Sequence, residues 1–197
     1  MSRGGHANPE AGWELSHVEF QGFFRRHHRE LARLAFVMLG DSDGADDLAA
    51  DVMAAAWRRW DRVRAADQPL AYVRRMVVNM SRSRIRVLVR ERDRVERMGA
   101  GSDEHLYGPD VPAIVDVRAA LLRLPQRKRA CVVLRLAFDL SEKETAQVLG
   151  IAVGTVKSQT AKGVAELTRL LAVERQPSGP RRATRGKAPR QLPRESP

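Results

Sequence analysis

Apolar residues recur at helical spacing along most of the chain, and no stretch keeps the strict alternation that marks a half-buried strand. Phe20, Phe23, Phe24, Leu31, Leu34, Ala35 and Met38 predict an amphipathic helix over 20–39. Over 45–60, Leu48, Val52 and Ala55 line one stripe, and Ala49, Met53, Ala56 and Trp60 line the next. Acids open that segment and arginines close it, as the helix macrodipole prefers. Val73, Met76, Val77, Met80, Val87 and Leu88 predict the buried side of a long helix over 70–90. Two further helices, 114–124 and 126–138, are split by Pro125, which suits the first turn of the second.

The last periodic stretch, 141–171, carries the most specific pattern. Ser141 and Glu144 form a capping box. Ala146, Val148 and Leu149 face one way along a short helix, and Gly150 supplies the dihedrals that end it. Ile151 and Val153 bury the turn, and Gly154 and Thr155 start a second helix with Val156, Val164, Leu167, Leu170 and Leu171 at helical spacing. A small residue, a turn glycine four later and a branched apolar residue six after that are the pattern of a helix-turn-helix, whose second helix enters the major groove. Thr155, Lys157, Ser158, Gln159 and Lys162 point outward and suit phosphates or base edges; Val156, set among them, joins the DNA-reading set. No acid interrupts this face before Glu166.

The fold class is therefore all-α: an N-terminal helical bundle and a C-terminal four-helix helix-turn-helix domain joined by a flexible linker. Residues 1–17 are expected to be disordered, 18–90 form the first domain, 91–112 the linker, 113–173 the second domain, and 174–197 a disordered basic tail. Gly40 ends one helix, with Ser42 or Asp43 capping the next. Residues 61–69 form a loop ended by proline. Gly40-Asp41-Ser42-Asp43-Gly44 matches a G-x-S-x-G nucleophile elbow in letters only, because that motif needs a preceding strand. Asp41 and Asp43 fail as a calcium loop because Ala45 occupies the next ligand position. His27 and His28 diverge by about 100° on a helix and make a poor metal pair. No catalytic residue, metal site or cofactor is expected.

Charge adds direction to this outline. The net charge is +11, carried on two basic blocks around an acidic linker, with a basic tail. Such a distribution suits a polyanionic partner. Between Asp67 and Glu91 there is no acid, while Arg74, Arg75, Arg82, Arg84, Arg86 and Arg90 supply six positive charges. Arg75, Asn79, Arg82 and Arg86 form a polar stripe that favours DNA over plain solvation. Trp57, Trp60 and Tyr72 border it and either pack in the core or stack on unpaired bases. Cys131 is the sole cysteine, in an apolar run, which fits a buried thiol and a reducing cytoplasm. No apolar run is long enough for membrane insertion, and the N-terminus lacks the apolar core of a signal peptide.

Together, GDSDGADDLAADVMAAAWRRW, AYVRRMVVNMSRSR and LPQRKRACVVLRLAFDLSEKETAQVLGIAVGTVKSQTAKGVAELTRLL closely resemble bacterial sigma factors, specifically the small two-domain extracytoplasmic-function (ECF) group of actinobacteria. The likeness covers about residues 18–172. It implies that the first domain is a region 2-like unit docking on core RNA polymerase, against the clamp helices of the largest subunit, through Asp47, Leu48, Asp51, Val52 and Trp57. It implies that the 61–69 loop and the next helix capture and open the −10 element through Arg62, Arg64, Gln68, Arg75, Asn79, Arg82 and Arg86. The region 4-like second domain would read the −35 element and touch the flap of the second-largest subunit. Promoter DNA and core polymerase are thus the implied partners, with room for an anti-sigma factor. Two DNA sites about 17 base pairs apart lie about 58 Å apart along the axis. The linker averages about 25 Å as a coil and reaches roughly 75 Å when extended, so it bridges them only when stretched. Two departures stand out: Ala50-Asp51 replaces the Gln-Glu common after Asp-Leu in the docking helix, and Gln159-Thr160 replaces a common Arg-Leu in the recognition helix. Two rival readings are a helix-turn-helix regulator that binds DNA without polymerase, and a serine hydrolase using Ser42.

Overall fold

A computed structural model of the chain describes residues 9–97 and 112–174. Residues 1–8, most of the expected linker (98–111) and the tail from 175 lie outside the described residues. Every regular element among those described is a helix.

The first helix, α1, runs Pro9–Leu39. It starts well before the expected boundary at 18, so 9–17 is helical rather than disordered. Gly40 ends it with φ of +81°, a left-handed value that glycine adopts freely. Helix α2 spans Ser42–Trp57 and is capped by Asp41, whose carboxylate accepts from the Gly44 amide at 2.7 Å. The cap is one or two residues earlier than expected. A short helix α3 (Trp60–Arg64) stands where a loop was expected. Helix α4 (Pro69–Arg97) continues one to two turns past the expected end at 90. Its Val87 and Leu88, expected on the buried side, are 51% and 54% exposed. The apolar stripe outlasts the bundle that covers its first half.

The second unit opens with α5 (Pro112–Arg123) and α6 (Gln126–Val132), with Pro125 as the cap residue between them. A π-helical turn over Val133–Ala137 follows, so the expected single helix over 126–138 widens at its end. Helix α7 (Glu142–Leu149) has both hydrogen bonds of the capping box: Glu144 N–H donates to Ser141 Oγ at 3.2 Å, and Ser141 N–H donates to the Glu144 carboxylate at 2.7 Å. Gly150 ends it in the left-handed conformation (φ 65°). Helix α8 (Val153–Glu174) crosses α6 closely at Gly163, where an added Cβ would lie 2.6 Å from Val132 Cγ2.

The two units share one hydrophobic core. Leu31, Leu34 and Met38 of α1, Leu48 and Val52 of α2, and Val73 and Val77 of α4 belong to the same buried cluster as Ala130, Val133, Leu134, Leu140 and Val148. Polar clasps reinforce the junction. The buried Arg129 guanidinium donates to the Met38 carbonyl at 2.5 Å, across the junction, and to Leu122 O at 2.6 Å within its own unit. It thereby satisfies carbonyls at the C-terminal ends of α1 and α5, which no helical amide can reach. Arg33 donates to Ala137 O at 3.0 Å and lies 4.7 Å over the Phe138 ring. Gly40 packs directly on Leu122, with no room for a side chain.

Candidate nucleic-acid interface

The recognition helix is built from its own cap outward. Gly150 turns the chain, and α8 starts at Val153 so that its first turns stand clear of the core. Thr155, Lys157, Ser158 and Lys162 are exposed, and Gln159 is partly so. Val156 is not part of this face: it is 0% exposed and anchors α8 on its own unit, so its place in the DNA-reading set is corrected. Val153, expected to bury the turn, is instead 43% exposed, and Val164 is 36% exposed. With only scattered apolar residues in its first half, α8 needs a single inward anchor, and Val156 is that residue. Glu166, the first acid on the helix, is neutralised by Lys128 at 2.7 Å. The outward face is therefore positive.

The second set of candidates lies on α3, the turn after it, and α4. Arg62, Arg64, Gln68, Arg75, Asn79, Arg82 and Arg86 are all exposed. Not every arginine of the acid-free stretch is available. Arg74 pairs with Glu30 on α1 at 2.5 Å with both side chains largely covered. Arg84 donates to Gly44 O at 3.1 Å and to Asp47 at 3.2 Å on α2. These two staple α4 to its neighbours. Arg64 bridges Asp61 and Glu19, which leaves the exposed stripe from Arg75 to Arg86 as the stronger candidate for phosphate contact. Trp60 is 6% exposed and belongs to the core. Tyr72 is half-buried against the same cluster.

The implied docking helix divides in the same way. Asp47 and Asp51 are exposed on one face of α2. Leu48 and Val52, at 2% and 0%, are interior residues that no partner reaches, so both are corrected from docking to core. The Trp57 ring is half-buried, packed at 5.0 Å on Phe20 and edge-on at 5.7 Å to His17. Its main contacts are internal. Asp51 has no ion pair among the described residues, whereas Asp47 is held by Arg84.

The structure brings residues of the two candidate sets together. Asn79 and Arg82 of α4 and Thr155 and Gln159 of α8 line one cavity of about 140 Å³, with Gln126, Arg127 and Ile151. Arg75 reaches over Gly150, its Nη2 2.7 Å from where a Cβ would stand. That cavity has about the volume of four or five water molecules and admits no duplex. Sequence periodicity gave no sign of this junction. It is made by Arg129, Arg33 and Gly40, of which the sequence singled out only Gly40, as a helix stop. The available signal was the position of Arg129, directly against the apolar run Ala130, Cys131, Val132 and Val133 on a helix.

No described helix is long and apolar enough to cross a membrane. Among the described residues, no cluster of three or more His, Cys, Asp or Glu is placed to hold a metal.

Comparison with known proteins agrees with this division into two units. Residues 23–91 match the model of sigma-70 region 2, and residues 114–167 match that of sigma-70 region 4. The chain is 35% identical over 178 residues to the ECF RNA polymerase sigma factor SigM of Mycobacterium tuberculosis, covering 85% of this chain and 87% of that one. It is 31% identical to the RNA polymerase sigma-E factor of Streptomyces avermitilis, covering 76% of this chain and 83% of that one. In fold it is similar to the sigma factor RpoE solved with the anti-sigma factor NepR from Bartonella quintana. The TM-score is 0.67 at 24% identity, over 80% of this chain and 99% of that one.

Proposed function

The chain belongs to the ECF group of RNA polymerase sigma factors, and from that premise we propose how its own residues divide the work. It binds core RNA polymerase and directs promoter-specific initiation. Asp47 and Asp51, the exposed acids of α2, meet basic groups on the polymerase clamp helices. The Arg75–Asn79–Arg82–Arg86 stripe, with Arg62, Arg64 and Gln68, grips the −10 element and its melted strand. Thr155, Lys157, Ser158, Gln159 and Lys162 read the −35 element. An anti-sigma factor, as in the RpoE–NepR complex, is a natural partner for a chain of this group. The protein acts in the cytoplasm beside polymerase, as a regulator with no catalytic residue of its own.

The observation that carries this reading is the pairing of two exposed, acid-poor faces on separate helical units, both matched region by region. The same observation adds a step. Asn79 and Thr155 face one small cavity, whereas the two promoter elements lie about 58 Å apart along the duplex. The described arrangement is therefore a closed form, and the two units separate before both elements are held.

The test is a binding titration of the full chain against core polymerase. Asp51→Lys reverses a charge that nothing in the fold uses, so the variant stays folded and its affinity for polymerase falls at least tenfold. Unchanged affinity would sink the docking assignment.

A further inference from the structure

A groove of about 760 Å³ lies between the N-terminal part of α1 and the α2–α3 break; Arg62 and Arg64, placed above with the −10 set, reach its wall, while Trp13, Arg58 and Arg59 have no role so far. It is lined by Trp13, Ser16, Trp57, Arg58, Arg59 and Arg62, with Trp60, Asp61 and Arg64 at its base. The Trp13 ring is 61% exposed. It stacks on His17 at 5.2 Å with planes 12° apart, and His17 meets Trp57 edge-on. One face of the indole is thus covered by imidazole, and the exposure leaves the other open. Arg58, Arg59 and Arg62 are exposed and have no ion pair among the described residues. Asp61, the one acid lining the groove, is taken by Arg64, which also pairs with Glu19 outside it. Trp13 also lies ten residues before the stretch matched by the region 2 model.

We propose that this groove is a single-stranded DNA subsite, with Trp13 as a stacking platform for an unpaired base and Arg58, Arg59 and Arg62 holding the backbone phosphates. Three features support it. An open aromatic face beside unpaired guanidinium groups is the combination that binds unpaired strands without sequence preference, because every base has a π-face and every nucleotide a phosphate. Helix α1 starts early enough to bring Trp13 over the arginines, and His17 holds its ring, so little freedom is lost on binding. The arginines cluster where α2 breaks into α3, immediately before the turn assigned to the melted strand. The subsite rests on the −10 assignment and extends it. It shares no residue with the cavity between the two units, so it is open in the closed form.

That independence gives a test without polymerase. The full chain is titrated against a labelled thymidine oligonucleotide of about twelve residues, read by fluorescence anisotropy. Binding is expected, weakening with salt. Trp13→Ala should weaken it about five- to a hundredfold, the range for one stacked base, and Trp13→Phe should keep most of it. Arg59→Ala should lower the salt slope by about 0.7, one phosphate contact on a single strand. Equal affinity for Trp13→Ala and the unmodified chain would overturn the proposal. So would a Trp13→Ala variant that keeps its oligonucleotide affinity but loses affinity for core polymerase, which would make the groove a protein-docking surface. Failure of the sigma-factor assignments would appear separately, as loss of polymerase binding with oligonucleotide binding intact.

Discussion

At the scale of single residues, burial separates roles that sequence spacing merges. Leu48, Val52 and Val156 each sit one or two positions from an exposed polar residue assigned to function, and all three are interior. A helical period fixes which residues share a face. It does not say which face the partner covers, and one position is about 100° of rotation. Asp47, Asp51, Lys157 and Ser158 were legible as outward positions because charged and hydroxyl groups are mostly exposed unless they find partners inside. Cys131 was legible for the opposite reason. Burial raises its thiol to about 11, from 9.0. The folded state thus favours the neutral thiol, so its contribution to stability is whole below pH 9 and is lost as pH rises through about 11. Thiolate is the reactive form. In the folded chain at pH 8, a disulfide reagent should leave Cys131 unmodified, and should titrate it fully in denaturant. Gly40 joins a left-handed φ to direct contact with Leu122. Gly40→Ala should cost about 1–3 kcal/mol in urea unfolding, from backbone strain and a displaced leucine.

At the scale of elements, caps were read well and ends less so. The Ser141–Glu144 box and the Gly150 stop were found from letters alone, because each has one local physical cause. The ends of α1 and α4 were placed short, and the break between α2 and α3 was missed. Nothing local stops these helices: charged side chains continue a helix into solvent as readily as they leave it. The π-helical turn at Val133–Ala137 had no signal in the sequence either. Ser141→Ala should lower stability by about 1 kcal/mol, measured by thermal unfolding. The Ser141 hydrogen bonds also hold the Glu144 carboxyl below its ordinary range. Its contribution is present above the unfolded pKa and is lost as pH falls through the lower folded value. Glu144→Gln should therefore flatten the acid limb of the stability profile, seen by unfolding in a pH series. Lys157→Ala should weaken −35 duplex binding by the holoenzyme about equally for all sequences and lower the salt slope by about one unit.

At the scale of the whole molecule, the sequence pointed to two units and an all-α fold, and gave no sign that the units close on each other. The closing contacts are non-local: Arg129 to Met38 O, Arg33 to Ala137 O, and Gly40 against Leu122. The buried Arg129 guanidinium, whose two terminal nitrogens donate to carbonyls while Nε has no partner, is a polar fastening within an apolar junction. It releases more readily than a continuous apolar seam, because water replaces its acceptors when the units part. Cysteines placed at Ser83 of α4 and Ala161 of α8, both exposed and without an assigned role, can be labelled selectively, because the buried Cys131 does not compete. Energy transfer between them should be high in the free chain and should fall when core polymerase and promoter DNA are added. A sigma factor of this build selects promoters only as a subunit of polymerase. The most direct measurement is promoter-dependent transcription from a mapped start site by purified core polymerase, with and without the chain. Initiation is expected only when both are present, lost with Asp51→Lys and weakened with Lys157→Ala. The contradictory result is no initiation by the mixture, together with tight sequence-specific binding of the same promoter by the chain alone.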